Sequence, residues 1–226
     1  MKQLRSFALV LAIVTTLYLV FRYIIRLIES DLSIWVFYSL LFSLIASYIV
    51  FFTCYSRRCA FHRLPHKSSM ALVISGFCIV LFVVFANFII NLCLRNGHVG
   101  YELLTIIQNI LYIVEIVAYI LIGIGFLRHA DCFKTSSFLR TASFISGIAL
   151  IAGELFSVIY VVGSSFILDS IVKSPDGYRS IYVLYSLFIS TLLYLPMVIF
   201  FFAFASHKDK DYREEQCPWP MPGDIA

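Results

Sequence analysis

Two glutamates stand inside long apolar runs, Glu115 within 103–127 and Glu154 within 139–166. An ionisable side chain at the centre of a membrane costs about 2.5–3.5 kcal/mol on insertion scales, so each of these needs a partner or a task. A carboxyl group held out of water can pick up and release a proton near neutrality, which suits it to bind a proton, a cation or a polar solute. Around Glu115 the spacing is informative. Gln108, Tyr112, Glu115 and Tyr119 follow i, i+4, i+7 and i+11, one face of a helix. A polar stripe of that kind must face protein or water rather than lipid. Ser143, Gly147, Leu150, Glu154 and Ser157 make a comparable stripe, with Ala149 and Gly153 four apart where another helix can approach closely. Asn87 and Asn91, also four apart, add polar groups from the preceding run. These residues predict a polar cluster among the third, fourth and fifth segments, open outward if open at all. The competing explanation is structural: protonated glutamates hydrogen-bonding across helices as packing contacts, worth only about 0.6 kcal/mol each on average in one measured case.

A second constellation lies between segments. Cys59, His62 and His66 are spaced C-x2-H-x3-H, and His129 and Cys132 follow in a later loop. Zinc takes such ligands at such spacing. Against it, Arg57, Arg58, Arg63 and Lys67 surround the set and repel a cation, and the usual C-x2-C half is absent. No metal or other cofactor is assigned. The chain also lacks a phosphate-binding loop, a His-Glu-x-x-His and a Gly-x-Ser-x-Gly, and no nucleophile pairs with a base, so no enzymatic activity is expected.

The elements that must position these residues are set by composition. Of 226 residues, 61% are hydrophobic and 13% charged, against about 25% charged in soluble domains. A core of this size cannot hide that excess, whereas a bilayer can be its solvent. Spanning about 30 Å of hydrocarbon takes about 20 apolar residues. Six segments qualify, at 6–28, 33–55, 69–94, 103–127, 139–166 and 180–206. In the first, Arg22 and Arg26 follow a charge-free run from Ser6 to Phe21 and are expected to snorkel to the interface. No small-residue cleavage site follows that run, so it reads as a retained helix rather than a signal peptide. The fold class is therefore all-α, a polytopic bundle of six transmembrane helices.

Twelve of the 17 lysines and arginines fall in the N-terminus, the second and fourth loops and the C-terminal tail. Cytoplasmic loops carry that excess, which places both termini inside. The basic loops also suit anionic lipid headgroups, and a net charge of +4 without a long basic run does not suggest nucleic acid. The expected setting is a plasma or bacterial inner membrane rather than an organelle. The tail, 207–226, is charged and then Pro-rich (Cys217-Pro-Trp-Pro-Met-Pro-Gly), extended and unable to pack alone. An internal echo joins Ser33–Ser43 to Ser180–Ser190, with seven identities in 11 positions, and Ile74-Ser-Gly to Ile145-Ser-Gly. It fits three tandem helical hairpins, although apolar sequence matches easily by chance. Pro196 removes a backbone bond from the sixth segment, a possible hinge. Two functions remain open. One is transport or conduction of a small polar solute or ion through Glu115 and Glu154. The other is a non-transporting subunit or scaffold that binds other membrane proteins or a second copy of itself.

Overall fold

A computed structural model describes residues 2–28, 34–61, 67–96, 101–133, 138–163 and 175–206. His62, His66 and the tail 207–226 lie outside them. The described residues form six long helices: α1 (Lys2–Ile28), α2 (Ile34–Phe61), α3 (Lys67–Asn96), α4 (Tyr101–Asp131), α5 (Phe138–Gly163) and α6 (Pro175–Ser206). The shortest has 26 residues, a rise of about 39 Å at 1.5 Å per residue, more than a hydrocarbon core requires. All six carry a window long and apolar enough to cross a membrane. The runs stay helical because every backbone bond is then made within the segment.

Each helix packs against its neighbours in sequence, and α6 closes onto α1, so the six form a ring. Thr15 meets Tyr48, Tyr48 meets Phe77, and Tyr18 meets Tyr194. Such pairings run antiparallel throughout, which brings the start of α1 and the end of α6 to one end of the bundle. The outside is apolar. On α4, Ile106, Ile110, Ile113 and Val117 repeat at i, i+4, i+7 and i+11 and are 50–60% exposed. A stripe of that size facing water would be an association site, whereas a bilayer would solvate it.

Glycines make close helix contacts on both sides of α4. A Cβ on Gly123 would lie 2.6 Å from Ile151 Cγ1 and 2.9 Å from the Gly147 carbonyl oxygen; one on Gly147 would lie 2.7 Å from Leu127 Cγ and 2.8 Å from the Gly123 carbonyl oxygen. Gly76 and Gly125 make the same kind of contact between α3 and α4. The two glycines of the repeated Ile-Ser-Gly thus both press on α4, from opposite sides. Gly153 sits more loosely, its Cβ position 3.3 Å from Leu192 Cβ.

Below the middle, toward the start of α1 and the end of α6, the interior is filled by rings. Phe51, Phe52, Tyr55, Phe126, Phe200, Phe201 and Phe204 are fully buried, with Phe126 and Phe200 centroids 4.9 Å apart and Phe51 and Phe204 5.1 Å. Edge-to-face pairs at such spacing fill the space and exclude water. His129 belongs to this layer. The sequence places it in a loop after the fourth segment, but α4 continues to Asp131 and carries the imidazole inward. Its Nε2 lies 3.0 Å from the Tyr55 hydroxyl and its Nδ1 2.8 Å from Ser143 Oγ. Both ring nitrogens are thus engaged by hydroxyls. No cluster of three His, Cys, Asp or Glu able to hold a metal occurs among the described residues.

Candidate functional site

Above the aromatic layer the ring encloses a cavity of about 230 Å³, to which all six helices contribute. It is large enough for roughly seven waters at about 30 Å³ each. From α4 it takes Tyr112, Glu115 and Tyr119, three of the four residues of the polar stripe; from α5, Glu154 and Ser157; from α3, Asn87. α1 supplies Arg22, α2 Tyr38 and α6 Tyr194. These positions fall in the half of the bundle away from the start of α1 and the end of α6.

The predicted residues therefore converge in part. Glu115, Glu154, Tyr112, Tyr119 and Asn87 face one space. Asn91 stands beside it, its Nδ2 donating to the Tyr38 hydroxyl at 3.0 Å and to the Asn87 carbonyl at 2.8 Å. Gln108, one turn before Tyr112 on α4, is half-buried and outside the lining. Arg22 corrects its expectation. It does not snorkel to the interface but turns inward, half-buried, with Cζ 5.7 Å from the Tyr194 ring centroid. Its charge acts on Glu115 across the cavity. A residue near the end of a span can turn its charge to the interface or into the bundle, and here it turns inward, beside the Tyr194 ring rather than in an ion pair among the described residues. A signal was present in α1: Leu11, Thr15, Tyr18 and Arg22 repeat at i, i+4, i+7 and i+11, the spacing of the α4 stripe.

Hydroxyls bound the cavity at both ends. At its floor, Thr15 Oγ1 lies 2.8 Å from the Tyr48 hydroxyl, and Tyr48 rests on Phe77 and Phe201 at 5.2 and 5.3 Å between centroids. Tyr18 is buried beside Arg22 and Tyr194, and its hydroxyl makes no hydrogen bond within 3.5 Å among the described residues. At the rim, Ser157 joins three helices. Tyr112 lies 2.6 Å from Ser157 Oγ and Tyr185 donates to it at 2.8 Å, while Tyr185 stacks on Tyr160 at 3.6 Å. Replacing Ser157 with alanine deprives both tyrosines of that partner. The expected cost is about 1–3 kcal/mol, the penalty of a half-buried polar group left unmade, read as a lower melting temperature in detergent. An unchanged melting temperature would show that water replaces the serine.

Chemically, the cavity offers two carboxyls, one guanidinium, an amide and several phenols, groups whose chemistry suits polar solutes and protons. Protein-family models, curated proteins and solved structures return no match to the chain.

Proposed function

We propose that this multi-pass membrane protein takes a small polar solute or ion into its central cavity and carries or conducts it across the bilayer. In this reading both termini are cytoplasmic, so the cavity faces the outer side, and the membrane is a plasma or inner membrane. The observation that carries it is the convergence of Arg22, Glu115 and Glu154 on one cavity built by all six helices. Charges inside a membrane protein commonly line solute or ion pathways, and binding sites form between the helices of a bundle, near the midplane. The aromatic layer beneath then acts as the inner barrier. Ser146 Oγ donates to the Pro196 carbonyl at 2.9 Å across the α5–α6 contact, next to where α6 lacks a backbone donor. That places a pliable point of α6 below the cavity. The reading assigns no enzymatic step.

A second reading, a scaffold, is favoured by one feature. The seam between α1 and α2 is the thinnest in the ring and holds an apolar groove of about 520 Å³ lined by Val14, Leu17, Leu40 and Leu44. Water access separates the two. Single cysteines at 115 and 154, in a background without native cysteines, are expected to react rapidly with a membrane-impermeant thiol reagent added from outside. Silence at both positions, with exposed-loop controls reacting, would indicate dry helix packing and overturn the transport reading.

A further inference from the structure

The charge on the cavity walls narrows the ligand. One guanidinium, Arg22, and two carboxyls, Glu115 and Glu154, face the same space. Both carboxyls are held out of water; the field of Arg22 reaches Glu115 across the cavity without an ion pair within 4.0 Å, whereas the charge nearest in effect to Glu154 is Glu115. Glu154 is only 4% exposed, and among the described residues nothing donates a hydrogen bond to its carboxyl. The other titratable groups facing it are phenols, Tyr112 and Tyr119 on α4 and Tyr185 on α6. With all three ionised, one negative charge is left over. An uncompensated charge away from bulk water is costly, so a proton or a monovalent cation must balance it.

The walls select among cations. A bare metal ion held by protein needs several oxygen ligands at short, fixed distances, whereas this cavity of about 230 Å³ is flanked by the rings of Tyr38, Tyr112, Tyr119 and Tyr194. Aromatic faces attract organic ammonium groups, and phenolic oxygens accept their N–H bonds. Arg22 sets the limit on charge: with Glu115 balanced by it, a single positive group completes the cavity and a second is repelled.

We propose that the cavity selects a small organic ammonium ion, which replaces a proton on Glu154, so that one proton leaves for each ammonium bound. The proton passes from the Glu154 carboxyl to water as the ammonium–carboxylate contact forms, and the charge of the loaded cavity stays constant. This rests on the reading of the cavity as a hydrated solute site.

The test uses the full chain, without native cysteines and carrying Val84→Cys at an apolar position of the cavity wall, reconstituted in lipid vesicles. The reporter lines the cavity and leaves the three charges in place. Three probes of similar size are compared: ethanolamine (cation), β-alanine (zwitterion) and propionate (anion). Ethanolamine at ten times its Kd is expected to slow labelling by an impermeant thiol reagent about tenfold, while propionate does not. Protection should weaken as the pH falls, because protons compete for the same carboxylate, and binding should acidify an unbuffered suspension. Glu154→Gln should abolish both protection and proton release, and Glu154→Asp should retain them. Labelling that no probe slows, or that β-alanine or propionate slows as well as ethanolamine, would overturn the proposal and leave the hydrated cavity standing. Protection without proton release would refute the exchange. A reporter that never reacts while a loop control does would remove the hydrated site and the proposal together.

Discussion

Replacing Gly123 with leucine is expected to eliminate the folded protein, seen as loss of a monodisperse peak on size-exclusion chromatography in detergent. Helices in a membrane gain little from burying apolar surface, because lipid is as apolar as leucine, so close backbone approach carries the association. At Gly123 even the first added carbon meets the Gly147 carbonyl oxygen at 2.9 Å and the Ile151 side chain at 2.6 Å. Ile151 can turn aside, but the carbonyl moves only if α5 moves. Gly147 meets α4 in the reciprocal way, so the two helices cannot slide to accommodate either residue. Overpacking in a close-fitting core costs about 1–3 kcal/mol for small additions. Gly123→Ala should therefore lower the melting temperature measurably, and leucine, with three further carbons, should exceed what the bundle tolerates. Ile110→Ala on the lipid-facing side of α4 should change stability within about 0.5 kcal/mol. If Gly123→Leu instead folds with the wild-type melting temperature, α4 and α5 do not meet at these glycines.

How much of this was legible in the sequence depends on whether the signal is local. The six long helices were, since apolar runs of this length carrying at most two charges favour a helix able to cross a bilayer. The α4 stripe was too, because Tyr112, Glu115 and Tyr119 share a face by period alone, and Asn87 and Glu154 were found through polarity in apolar runs. Tyr38 and Tyr194 were not. With 14 tyrosines and 22 phenylalanines spread over all segments, nothing local distinguishes a ring at a cavity wall from one in a packed layer. Helix–helix contacts decide that, and they join residues far apart in sequence. The Ile-Ser-Gly echo was visible, but not that both copies press on α4. Arg22 shows a different failure. Its position near the end of a span admits two outcomes, the interface or the interior, and only Thr15 and Tyr18 on the same face point to the interior. His129 lies beyond the apolar run 103–127, and hydropathy alone does not show that the helix continues past that run to Asp131.

Arg22 also supplies the second large effect. Arg22→Met is expected to impair both assembly and solute binding, and Glu115→Gln in the same chain should restore part of the stability. The guanidinium and the Glu115 carboxyl act on each other across the cavity, in surroundings where Tyr18, Tyr119 and Tyr194 are buried and screening by water is reduced. Removing the cation leaves two carboxyls without a counter-charge, and removing one partner of a buried pair costs more than the pair itself contributes. Removing both charges returns the cavity to a single carboxyl that one proton neutralises. The two substitutions should therefore be non-additive, with a coupling energy of about 0.5–3 kcal/mol for groups that share an interaction. A thermal-unfolding double-mutant cycle on Arg22→Met, Glu115→Gln and their combination measures it. Arg22→Lys keeps the charge but not the planar group over Tyr194, and should fall between wild type and methionine. Additive effects would mean that the two charges do not meet through the cavity, and Arg22 would then act only through its contacts with Tyr18 and Tyr194. Coupling in the expected range, with binding lost in Arg22→Met and not regained in the double variant, would separate the two tasks of the arginine: balancing Glu115 in the fold, and limiting the cavity to one positive charge in its ligand.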